Sequence, residues 1–184
     1  MYKFSAKGQK WLKIFHLLFV CLWTGGAFAL LTLNALRGEA TTGDMLAGVN
    51  AAFHQVDFLI VVIGGAFGCT LTGLLYSLFT PWGFARHGWI VIKWIATIIC
   101  ILVGTFFLGP WEEGMLALSR SMGLAALSSP EYISMQRGTD WVAPIQTGMW
   151  VVLIILSVLK PWPNIRKKKK APESSHAVTS SRQQ

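Results

Sequence analysis

The sequence predicts an all-α membrane protein, a four-transmembrane-helix bundle with short extra helices in the second outer loop. Three observations carry this. Hydrophobic residues make up 53% of the 184-residue chain and charged residues 13%, with a mean hydropathy of +0.51, a balance too apolar for a soluble domain. Apolar runs close to the roughly 20 residues that a hydrocarbon core of about 30 Å demands occur near residues 11–36, 56–79, 89–108 and 141–159. None of these runs alternates with period two, which argues against a lipid-facing β-barrel.

The first span opens with "WLKIFHLLFVCLW" and stays apolar to Leu36. Its basic approach and the "AFA" at 27–29 also suit a cleavable leader, but the apolar run continues past that point, so the segment is expected to remain. Gly38 and Gly43 in "RGEATTGD" break the chain into a first outer loop. The second span carries "GGAFGCTLTG", with Gly64 and Gly68 at the separation that lets helix backbones touch, and "TGGA" at 24–27 offers span one a similar patch. A glycine-rich phosphate cradle is excluded, because it needs a helix N-terminus in water.

After the third span, the outer segment 109–140 is long for a connector. Met115, Leu118, Met122 and Ala125 recur there at helical spacing, and "SSPE" sets Ser128 three residues before Glu131, so one or two short helices are expected to cap the bundle. Met115, Met122 and Met135 offer thioethers to Cu(I), without the clustering of a copper site. In span four Gln146 is a donor for an interhelical hydrogen bond. His54 and Asp57, one turn apart at the entrance to span two, read as a solvated cap with Asp57 near a helix N-terminus.

Residues 1–162 thus form the transmembrane domain, and residues 163–184 a basic, disordered tail. The net charge of +8 gathers at the two ends. Lys3, Lys7, Lys10 and Lys13 precede or open span one, and seven basic residues against Glu173 follow from Lys160 onward. Arg86 lies in the short middle link, whereas Arg37, Arg120 and Arg137 in the outer links stand among six acids. The positive-inside rule then puts both termini and the middle link in the cytoplasm, as in a multi-pass protein of a bacterial-type inner membrane. Trp11, Trp82, Trp89 and Trp162 mark the inner boundaries, and Trp111 and Trp141 the outer ones. The tail directly follows a span, so it reads as a topology anchor facing anionic lipid rather than a nucleic-acid patch. Cys21, Cys69 and Cys100 sit singly within spans and read as small buried hydrophobes, with neither disulfide nor zinc spacing.

Two ionisable residues interrupt the apolar runs at one level. His16 lies roughly 7 Å inside the cytoplasmic edge of span one, and Lys93 in "GWIVIK" lies roughly 6 Å inside span three. A charge deep in hydrocarbon costs about 3 kcal/mol even on the lenient insertion scale, so such residues turn inward to a partner or cofactor. Neutral imidazole is the usual axial donor to haem, which makes His16 the candidate metal ligand. Lys93 could neutralise a propionate or ligate as a free amine. Trp89, Tyr76 and Phe19 are candidates to line a slot for a flat porphyrin among the helices.

"WLKIFHLLFVCLW" resembles the first transmembrane helix of HemJ-type protoporphyrinogen oxidases, and "GWIVIK" resembles their third. Trp11, Lys13, His16, Phe19, Val20 and Trp23 match the first pattern, and Gly88, Trp89 and Lys93 the second. The wider relatives include copper-resistance D-like four-helix membrane domains. The resemblance implies haem b bound through His16 and Lys93, and an oxidoreductase acting on a porphyrin or passing electrons. Beyond its first helix that family continues with Pro-Arg, a further His and Met-Glu-Arg-Arg, where this chain reads "TGGAFALLTLNALRGEA". The haem-site half of the resemblance therefore transfers better than the oxidase half. The alternative is a non-enzymatic membrane protein: a copper or small-solute transport component, or an assembly subunit. Expected partners are the lipid bilayer, haem or another porphyrin, and either a second copy or a membrane-complex subunit, with no nucleic acid.

Overall fold

The computed structural model describes residues 3–81, 83–84 and 87–160. Trp82, Arg86, Trp162, His176 and the tail 163–184 lie outside the described residues. The described chain is built of four helical rods, each long and apolar enough to cross a membrane.

Helix α1 (Ala6–Arg37) is the first rod. At about 1.5 Å per residue its 32 residues reach about 48 Å, so it overruns a hydrocarbon core at its ends. Ser5 starts it by accepting a hydrogen bond from the Gly8 amide. The second rod runs from Gly43 to Phe79 as α2 (Gly43–Val56), a π-helical stretch (Asp57–Phe67) and α3 (Gly68–Phe79). Thr42 caps it by accepting from the Met45 amide, and Asp44 in the first turn suits the positive helix end. The third rod is α4 (Gly88–Val103), a shorter π-helical stretch (Gly104–Leu108), α5 (Gly109–Met122) and a 3-10 turn (Gly123–Ser128). The fourth is α6 (Pro130–Leu159), with Pro130 at its first position and Pro144 inside.

Several sequence expectations shift here. The second rod begins at Gly43, so Asp57 lies well inside it, half-buried, and has no helix N-terminus beside it. The extra helices after span three are continuations of rods three and four, and they cap the bundle. Ser129, rather than Ser128, precedes α6, and its carbonyl accepts from the Ile133 amide. Cys21 is exposed on α1, while Cys69 and Cys100 are buried as expected, and all three thiols are free.

Small residues bring α1 against the second rod. A Cβ on Gly65 would strike Trp23, one on Gly68 would overlap the Phe19 ring, and one on Gly26 would strike Val61. In lipid, where tails are as apolar as leucine, such close packing is what holds helices together. The membrane core gathers Trp23, Cys69, Ala96, Cys100, Trp150 and Leu153, with the Trp23 and Trp150 rings 3.8 Å apart between centroids. Gln146 reaches from α6 to the Cys100 carbonyl at 3.5 Å, the expected interhelical contact. A second core in the cap joins Ala40, Leu46, Met115, Ala126 and Tyr132. Outward residues such as Ile95, Phe106, Ile145 and Val158 present an apolar surface suited to lipid.

Candidate functional site

His16 and Lys93 meet at the end of the bundle where α1 starts, α3 ends and α4 starts. Both are half-buried among helices, unlike their exposed neighbours Phe15, Leu17 and Ile92. They lie within electrostatic range of each other, with Cys69 of α3 nearby. The Lys93 ammonium lies 6.0 Å from the Trp89 ring centroid, one turn back toward the helix start, the lean natural to a long helical side chain.

The His16 ring is fixed by two contacts from α3. Tyr76 meets it edge-on at 5.7 Å between centroids, and the Tyr76 hydroxyl donates to the Gln9 carbonyl at 3.4 Å. Nδ1 lies 2.8 Å from the hydroxyl oxygen of Thr72, which is itself buried. That hydroxyl spends its proton on the Gly68 carbonyl at 2.6 Å. With its proton directed at Gly68, the oxygen can accept from Nδ1–H, the tautomer that leaves Nε2 a lone pair.

Thr72 is the residue that sequence reading missed. Its signal was faint: a threonine in a membrane helix, 56 positions from its partner. Phe19, expected in the lining, instead lies one turn deeper and closes the α1–α3 contact over Gly68. Tyr76 and Trp89 flank His16 and Lys93 respectively. Helix α4 approaches α6 more closely than it approaches α1 or α3, and long side chains bridge the wider interval, with Trp94 Nε1 donating to Ser77 at 3.3 Å.

The cap end holds a second polar cluster. Arg37 and Glu112, counted from sequence as loop charges, are buried at 1% and 3% exposure and form an ion pair between α1 and α5. Arg37 also donates to Asn34 at 2.8 Å and lies 4.1 Å over the Phe53 ring. Met115 and Met135 belong to the cap core, but Met122 is 46% exposed, so the three thioethers do not share one interior point. Among the described residues no three of His, Cys, Asp and Glu converge on a metal position.

Compared with known proteins, the chain matches no family model, no curated protein and no solved structure.

Proposed function

We propose that this integral membrane protein binds haem b beside α1, α3 and α4, where His16 would hold the iron through Nε2. One observation carries the reading: the Thr72 hydroxyl, directed at Gly68, lies where it can accept a hydrogen bond from Nδ1–H, the tautomer in which Nε2 is available as a ligand nitrogen. A hydrogen bond on the far ring nitrogen is the usual way a ligating histidine is oriented. Lys93, beside Trp89, would supply an ammonium to neutralise a propionate. Tyr76 packs the imidazole from its edge and restricts its rotation. The donor set suits a macrocycle better than a bare ion, because porphyrin brings four nitrogens and needs only one or two from the protein. Haem, when bound, would supply one-electron chemistry. An oxidase role on porphyrin, as the resemblance to HemJ-type enzymes implies, is the activity to assay first.

The purified protein in detergent, supplemented with haem, is expected to show a Soret band that His16→Ala abolishes. A wild-type protein that stays colourless contradicts the reading. Rescue of a strain lacking protoporphyrinogen oxidation tests the oxidase role separately.

A further inference from the structure

Among the described residues, the end of the bundle where α1 starts contains no acid: every described Asp and Glu, from Glu39 to Asp140, lies in the cap half of the molecule. Lys3, Lys7, Lys10 and Lys13 are exposed there and make no ion pair among the described residues. Helix α1 has no acidic residue in its first turn, where the positive helix end favours one. Lys7 and Lys10, three residues apart, are neighbours on its surface and repel each other. Their counter-charge has to come from outside the chain.

The orientation of these turns is fixed by contacts on their inner side. The Phe4 amide donates to the Phe79 carbonyl at 3.0 Å, and the two rings lie 5.1 Å apart between centroids. The Gln9 carbonyl accepts from Tyr76, and Leu12 is buried. With Gln9 and Leu12 turned to α3, Lys7 and Lys10 face outward.

On that outward face the exposed surface changes from cationic to apolar without a break. Lys7, Trp11, Ile14 and Leu18 follow one another along one stripe at helical spacing, all exposed, and Lys10, Leu17 and Cys21 lie alongside, exposed as well. Lys13, one turn deeper, leans back toward the helix start as long helical side chains do. Phosphate followed by hydrocarbon is the order of parts in an anionic phospholipid. A soluble acidic protein would meet the lysines alone.

We propose that the outward face of α1 from Lys7 to Leu18 binds an anionic phospholipid, with its phosphate between Lys7 and Lys10 and an acyl chain along Trp11, Ile14 and Leu18. The lysines act as point charges toward the phosphate, and Trp11 sits at the level where head group gives way to chain.

The test is native mass spectrometry of the full chain from detergent micelles containing equal amounts of phosphatidylglycerol and phosphatidylcholine with the same acyl chains. Wild type is expected to retain phosphatidylglycerol at least about tenfold over phosphatidylcholine, and the double variant Lys7→Gln, Lys10→Gln to lower that preference at least about fivefold. Both substitutions change exposed side chains, so the fold is retained. Replacing Lys167, Lys168, Lys169 and Lys170 by Gln is expected to leave the preference in place. A wild type without preference, or a double variant that binds like wild type, overturns the proposal. A preference lost only with the four tail lysines assigns the lipid to the tail and overturns it as well. Displacement by glycerol phosphate as readily as by phosphatidylglycerol would mean a phosphate site without an acyl groove. Polyglutamate binding that the double variant abolishes, with no lipid preference, would give the lysines to an acidic protein; either result contradicts the proposal.

Discussion

At His16 the tautomer follows from a competition for one hydroxyl group. Thr72 has a single hydroxyl proton; directed at the Gly68 carbonyl one turn behind, it leaves the oxygen to accept from the imidazole. Thr72→Val keeps the shape and removes the acceptor. We expect haem affinity to fall about 10–100-fold, the usual effect of losing a partner behind a ligand, with helix content unchanged by circular dichroism. The same scale governs the cap. Arg37→Met leaves Glu112 buried without its counter-charge and is expected to destabilise the protein by about 3–5 kcal/mol, read from unfolding in detergent. The double variant Arg37→Met, Glu112→Leu is expected to recover most of that loss, because it removes both charges. His16 and Lys93 were legible because ionisable residues stand out in apolar runs. Thr72, Arg37 and Glu112 were not, since their meaning depends on partners 56 and 75 positions away.

Helix α1 is held to the second rod by what its glycines omit. Gly68 lies under the Phe19 ring and Gly65 under Trp23, whereas nothing lies within 4 Å of a Cβ on Gly25. Gly68→Leu is therefore expected to cost at least about 1–3 kcal/mol by overpacking, and to lower haem occupancy by displacing Thr72 from His16. Gly25→Leu, at an exposed position of α1 with open space around it, is expected to be near neutral in the same unfolding assay. The four spans and the packing role of "GGAFGCTLTG" could be read from composition and spacing. The earlier start of the second rod could not: residues 43–55 are less apolar than the span they extend, and hydropathy finds membrane crossings rather than helix ends. The union of α4 with α5 was hidden for the same reason, since the helix continues after its apolar run stops at Leu108.

The whole molecule has two polar ends separated by an apolar middle, and they differ in construction. One end gathers His16, Tyr76, Lys93 and Trp89 beside a loosely approached helix; the other encloses a buried ion pair within its own small core. The charge distribution predicts that the first end faces the cytoplasm. A green fluorescent protein fused after Gln184 is expected to fluoresce, and alkaline phosphatase at the same position to be inactive; the reverse result would invert the topology. Orientation and haem binding are tested separately. The direct measurement is the absorption spectrum of the purified full-length protein after haem supplementation, taken for wild type, His16→Ala and Lys93→Ala. The account predicts a Soret band in wild type, none in His16→Ala, and a weakened band in Lys93→Ala. A band that survives intact in His16→Ala, or no band in the folded wild-type protein, would contradict it.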